Sequence, residues 1–318
     1  MKVKNSNSIL RIKNPSEKEF LELWKQYQPF LIEDVAKDWD ACSKWSNDYL
    51  IKQCGNNLVD IQNFKKDFFE DYKIFSYIGA YVEDRKIIKY KEYVKEIEEK
   101  VNENKNDSDL VGCYLPSAFF EDSFPEIIGD VIYPEYLNRK PLVNYWHGFS
   151  SKNFSSTTVL HFDAVHNIFV QIRGRKKILL YPPSNYLSFY PPLDDSRGLA
   201  AYSRVDPNLP NLESFPKFPC QERMEVLIQP GEMLYIPPFW WHYVTAVDEN
   251  ISLSFFYDVT IQDYFKQKKM LSVFLNIAPH YLYHAISSPD ALQSSIAMIK
   301  SFILPGSFTE GARDKKLK

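Results

Sequence analysis

The sequence predicts a mainly β molecule: an antiparallel barrel or sandwich, preceded by mixed helices and strands and followed by helices. A series of short apolar runs lies between about residues 140 and 258, among them "PLVNYWHGF", "STTVLHFD", "NIFVQIRG", "RKKILLYPP", "WHYVTAV" and "ISLSFFYDV". Gly and Pro punctuate them, as in all-β domains. Aromatic residues make up 16% of the 318 positions, a composition that suits half-buried sheet faces. Prolines outnumber glycines 20 to 10, so turns are set more by fixed φ than by permissive φ.

In chain order, "PSEKEFLELWKQYQPFLIEDV" pairs Ser16 with Glu19 in capping-box spacing, and Phe20, Leu21, Leu23, Trp24 and Tyr27 follow at helical intervals. That predicts an amphipathic helix stopped near Pro29, then a strand in "FLIEDV". "SNDYLIKQCGNN" reads as a short helix from Ser46 to Gly55, and "LVDIQ" as a strand. "KYKEYVKEIEEKVNENKND" reads as a charged helix with a narrow apolar stripe, a solvated outer element. Residues 1–139 are thus expected to extend the barrel, 140–260 to form its core, and the Pro- and Asn-rich 184–221 to be a long ordered loop near its mouth. Helical texture returns in "IQDYFKQKKMLSVFLNIA" and "SPDALQSSIAMIKSFIL" (261–305), and 306–318 reads as a disordered tail.

The formal charge of −3, from 38 basic and 41 acidic residues, gives no strong field for polyanions, which places nucleic acid second among partners. Cys42, Cys54, Cys113 and Cys220 form no C-x-x-C pair and read as reduced thiols of a cytoplasmic protein. No signal-peptide run and no stretch of ~18 apolar residues is present, so no membrane association is expected.

His161 and Asp163 stand two apart at the end of a strand-like run, where alternation projects both to one face. His242, in "GEMLYIPPFWWHYV", offers a third ligand from the same β region. Two imidazoles and a carboxylate are the donor set of non-haem Fe(II) sites that keep coordination positions open. A lysine at the head of an apolar strand suits a carboxylate, but alternation alone leaves Lys176 and Lys177 equivalent.

The two segments "TVLHFDAVHNIFVQIRGRKKILLYPP" and "PGEMLYIPPFWWHYV", in this order, resemble the JmjC or cupin-like family of Fe(II)- and 2-oxoglutarate-dependent oxygenases. The small hydroxylase branch, which includes the asparaginyl hydroxylase of hypoxia-inducible factor, is the most similar. The resemblance covers about residues 140–260. It implies a double-stranded β-helix (jelly-roll) core, Fe(II) held by His161, Asp163 and His242, and 2-oxoglutarate held by Lys176. It further implies co-substrate contacts from Thr158, Asn167 and, in a looser alignment, Tyr114. Ser254 stands where the hypoxia-factor enzyme has Asn. His147 and His166 are weighed as strand or loop residues against substrate contacts, Trp240 and Trp241 as packing around the site, and His280 and His284 are given no chemistry.

The implied reaction consumes O₂ and 2-oxoglutarate, releases succinate and CO₂, and hydroxylates a C–H bond. The first choice of substrate is a peptide or protein side chain (β-hydroxylation), with exposed aromatics of the 184–221 loop shaping the groove. A small molecule or modified RNA base is the alternative, and a non-catalytic cupin-like scaffold the second. The apolar helix faces "MLSVFLNIA" and "IAMIKSFIL" imply a homodimer.

Overall fold

The computed structural model describes residues 8–65, 85–102, 110–137, 139–152, 154–193 and 200–287. The chain runs β1 (Leu10–Lys13), α1 (Glu17–Trp24), β2 (Phe30–Glu33), α2 (Asp40–Lys44), α3 (Asn47–Cys54), β3 (Leu58–Lys65) and β4 (Arg85–Lys89). It continues with α4 (Tyr90–Asn102), β5 (Leu110–Phe119), α5 (Phe120–Ser123), β6 (Leu142–Gly148), β7 (Thr157–His161), β8 (His166–Arg173) and β9 (Lys176–Tyr181). Last come β10 (Met224–Ile228), β11 (Met233–Ile236), β12 (Trp241–Ala246), β13 (Asn250–Tyr257), α6 (Ile261–Lys266) and α7 (Lys268–Ser287). The segment "SPDALQSSIAMIKSFIL" and the expected tail lie outside the described residues.

Local chemistry places the first elements. Ser16 and Glu19 close the expected capping box, with the Ser16 amide donating to Glu19 at 2.8 Å. Ser16 thereby starts α1, and Phe20 and Trp24 form its buried stripe. Ser46 caps α3 by accepting from the Tyr49 amide.

The strands form two sheets, ordered β1-β2-β11-β8-β13-β6-β5-β3-β4 and β10-β9-β12-β7. They face one another as a jelly roll, with the N-terminal strands β1–β5 extending the large sheet, the N-terminal helices on its outer face and the C-terminal helices outside the small sheet. Alternation along β9 shows the layering. Ile178 and Leu180 pack inward with Leu31, Phe169, Leu234 and Trp240, while Leu179 and Tyr181 pack outward. The outward face is covered by Tyr186, Phe189, Val205 and Phe218 of the 184–221 insertion and by Met270, Val273 and Ile277 of α7. The register of β9 is fixed at Gly174, whose φ is +62° and whose Cβ would fall 2.0 Å from the Glu249 carbonyl oxygen. No side chain fits that turn.

Two expectations need correction. The apolar stripe of α4 is fully buried: Tyr90, Tyr93, Val94 and Ile97 are sealed against the large sheet. The Tyr93 hydroxyl donates to the His147 carbonyl at 2.6 Å and accepts from the Leu115 amide at 2.9 Å, so α4 fastens β6 to β5. The 184–221 insertion buries its aromatics Tyr186, Phe189 and Phe218 and exposes Leu187, Leu209 and Leu212 instead, because the outer sheet face needs an apolar cover.

Candidate active site

The sheets enclose a cavity of about 550 Å³, and all eight residues singled out in the sequence line it: Tyr114, Thr158, His161, Asp163, Asn167, Lys176, His242 and Ser254. His161 on β7 and His242 on β12 are direct cross-strand partners. Their rings lie 4.1 Å apart, centroid to centroid. Asp163 does not reach them by strand alternation, because β7 ends at His161. Its carboxylate turns in from the following bend, with Oδ1 3.9 Å from His161 Nε2 and Oδ2 3.5 Å from His242 Nε2. One ligand atom from each residue lies within 4.8 Å of the others, an arrangement able to hold a metal ion.

Each imidazole is oriented by its own strand. His161 Nδ1 donates to the Val159 carbonyl at 2.7 Å, and His242 Nδ1 to the Trp240 carbonyl at 2.9 Å. Nδ1–H is thereby committed to the backbone, and the Nε2 lone pairs are left for a metal. Burial, followed by the neighbouring His161, pushes the His242 imidazole down to about 4, so it stays an unprotonated donor at neutral pH.

Thr158 and His161 face the cavity together although three residues apart. A β-bulge explains it: Thr158 pairs with Val244 and His161 with His242, so three steps on β7 oppose two on β12. On β9 the buried lysine is Lys176, at the head of the inward row, whereas Lys177 points outward to Glu225 at 3.0 Å. The Lys176 ammonium is bound by the Ser252 hydroxyl at 2.8 Å and sits over the Phe169, Trp146 and Tyr114 rings at 5.4, 5.9 and 6.0 Å. Among the described residues no carboxylate pairs with it, and burial pushes it down to about 7. The Tyr114 and Thr158 hydroxyls, 3.5 Å apart, share its end of the cavity.

Ser254 lines the wall with its hydroxyl held by the Trp146 indole N–H at 3.1 Å, so the serine touching Lys176 is its i−2 neighbour Ser252. Sequence reasoning passed over Ser252, although alternation on β13 puts both serines on one face. It also missed Asn144, which donates to Ser117 at 2.8 Å, and Arg85 and Gln62, cross-strand partners whose row continues to Tyr114. These belong to strands whose place beside the barrel depends on long-range pairing.

The other weighed residues lie elsewhere. His147, on β6, is buried on the face turned to α4, 2.9 Å from the Tyr90 hydroxyl and 3.3 Å from Glu249. His166 stacks on Trp24 and reaches the Tyr235 hydroxyl at 2.8 Å. Neither lines the cavity, and neither do Trp240 and Trp241, which fill the inner and outer cores. The indole that borders the cavity is Trp146. The side chains of His280 and His284 lie outside the described set.

A profile of the cupin-like domain family matches residues 16–263. The lysine-specific demethylase JMJ30 of Arabidopsis thaliana is 30% identical over 234 residues, covering 72% of this chain and 49% of its own. Lysine-specific demethylase 8 of Xenopus tropicalis is 27% identical over 260 residues, covering 80% and 53%. The tRNA wybutosine-synthesizing protein 5 of Mus musculus is 26% identical over 263 residues, covering 78% and 77%. The chain spans about half the length of the two demethylases. With a jelly roll whose cavity gathers two histidines, an aspartate and a buried lysine, the chain belongs to the cupin-like, JmjC-type family, whose members depend on Fe(II) and 2-oxoglutarate.

Proposed function

We propose that the protein is a 2-oxoglutarate-dependent dioxygenase that hydroxylates a C–H bond of a peptide or protein side chain. His161, Asp163 and His242 hold Fe(II), and Lys176 with Thr158 and Tyr114 holds the far carboxylate of 2-oxoglutarate, beside Asn167 and Ser254. The observation that carries the reading is the meeting, in one cavity, of this donor set with a buried ammonium that no carboxylate of the described residues pairs with. A cation buried without an anion is costly, and a diacid repays that cost.

The donor chemistry fits the metal. Two neutral imidazoles and a carboxylate leave coordination positions free for ligands that the protein does not supply. When bound, iron and 2-oxoglutarate supply the oxidising chemistry, with O₂ consumed and succinate and CO₂ released. The chain's own residues bind and orient: the Nδ1–H bonds fix both imidazoles, Lys176 anchors the diacid, and Phe169, Ile236 and Val244 keep water from the inner wall.

The substrate reaches the site past Arg85, Gln62 and Ser117, all on the cavity wall. The exposed Leu187, Leu209 and Leu212 of the insertion add apolar surface for an extended chain. Hydroxylation of a modified RNA base is the second reading. It is favoured by the mouse wybutosine-synthesizing relative, which matches over three quarters of both chains, and by the cations Arg85, Lys86 and Lys89 on β4. Free cysteines support a reducing, cytoplasmic setting, and no helix among the described residues is long and apolar enough to cross a membrane. Two copies associate through α6 and α7, where Phe265, Leu275 and Tyr283 are exposed.

The test is incubation of pure protein with Fe(II), 2-oxoglutarate and air, with succinate measured and peptide and RNA pools searched for the gain of one oxygen. Succinate formation that His161→Ala or His242→Ala abolishes is the expected result. Absence of succinate, even with candidate substrates, would instead support a non-catalytic scaffold.

A further inference from the structure

Tyr202 comes from the insertion, yet it lies against the centre. The Phe162 amide donates to the Ala201 carbonyl at 3.0 Å and the Ser203 amide to the Leu160 carbonyl at 2.9 Å, so residues 201–203 pair with the end of β7. His161 and Tyr202 are opposite one another in that antiparallel bridge. The Tyr202 ring lies nearly parallel to the His161 imidazole, 5.6 Å between centroids and 21° between planes. The segment is fastened at several points: the Tyr186 hydroxyl donates to the Ala200 carbonyl at 2.7 Å, the Ser203 hydroxyl to the Phe189 carbonyl at 2.7 Å, and the Val205 amide to the Ser203 hydroxyl at 3.0 Å.

The two histidines differ in what surrounds them. His242 sits on an inner strand, between β9 and β7, and its side chain is 5% exposed. His161 sits on the edge strand and is 13% exposed. The bond to Val159 sets its tautomer, but a single hydrogen bond leaves the ring free to tilt about it. On the open side the flat surface that opposes such tilting is Tyr202.

We propose that Tyr202 is a positioning residue of the metal centre. Its aromatic face holds the His161 imidazole at the angle the ion requires, and metal affinity is thereby linked to the seating of the insertion. The inference rests on the reading of His161, Asp163 and His242 as metal ligands. Residues that orient a metal ligand typically change affinity ~10- to 100-fold when removed.

The experiment is calorimetric titration of the full chain with Mn(II), a redox-stable stand-in, for the wild type, Tyr202→Phe, Tyr202→Leu and Tyr202→Ala. Thermal unfolding is recorded for each, and 2-oxoglutarate affinity is measured at saturating Mn(II). Tyr202→Phe should bind Mn(II) as the wild type does, and the Leu and Ala variants ~10-fold more weakly. The 2-oxoglutarate affinity of the metal-saturated proteins should stay unchanged. Wild-type affinity in a folded Leu or Ala variant overturns the proposal, as does a Phe variant as weak as Ala, which would assign the effect to the hydroxyl. If His161→Ala leaves Mn(II) binding intact, the ligand assignment itself is wrong.

Discussion

In the proposed reading Lys176 anchors the co-substrate, and its burial would make that binding depend on pH. Burial holds the free ammonium at about 7, so above that pH much of the apo protein carries a neutral amine. A dianion binds the charged form, so 2-oxoglutarate binding above pH 7 takes up a proton. Affinity should weaken by up to about tenfold per pH unit between 7 and 9, which calorimetry in buffers of different ionisation enthalpy can read. A pH-independent affinity would contradict this. Lys176→Met should abolish 2-oxoglutarate binding and yet raise the thermal midpoint of the apo protein at pH 6. The charged form dominates there and its burial is most unfavourable, whereas the gain should shrink as pH rises through 7. Lys176 and Lys177 also mark how far strand alternation reaches. The two apolar rows were plain in the sequence, but which row faced inward depended on the Gly174 turn and on the pairing of β9 with β12. Asp163 and Thr158 share that limit: a strand ending at His161 and a bulge opposite His242 are properties of two strands together.

At the scale of elements, helix starts were legible because Ser16 and Ser46 act within one turn of themselves. Most strands from β6 to β13 were legible because each is a short apolar run set off by Gly, Pro or polar residues, although nothing local divided β10 from β11, which join different sheets. The role of α4 was hidden: its charged residues suggested a solvated rod, yet Tyr90 and Tyr93 are anchors whose partners, Tyr145, His147 and Leu115, lie far along the chain. Tyr93→Phe strips one bond from the His147 carbonyl and leaves the buried Leu115 amide without its acceptor. Urea unfolding should show a loss of about 1–3 kcal/mol. Because β5 carries Tyr114 and β6 carries Trp146, 2-oxoglutarate affinity should fall with it. An unchanged unfolding midpoint would show that α4 is cover alone.

At the scale of the whole molecule, the chain's two flanks meet on the barrel through Asp263. Its carboxylate accepts from the Tyr27 hydroxyl and from the Thr260 amide at 2.6 Å, with His166 of β8 at 3.8 Å. Burial alone would raise it, but the nearby His166 imidazole and the hydrogen bonds from Tyr27 and Thr260 hold it well below the usual carboxylate range. The exposed residues of α7 lead outward from this clasp. Light scattering should report a dimer, and Leu275→Asp should yield monomers without loss of the metal site; a monomeric wild type would remove the pairing.

The pairing of residues 201–203 with β7 reaches beyond the chemistry of iron. β7 is the last strand of its sheet, and "TTVLH" is rich in β-branched residues. A bare ribbon of that kind is a template on which strands of other molecules nucleate. The insertion occupies the C-terminal end of that template first. A variant with 184–221 replaced by a tight turn should therefore self-associate into sedimenting, thioflavin-positive material.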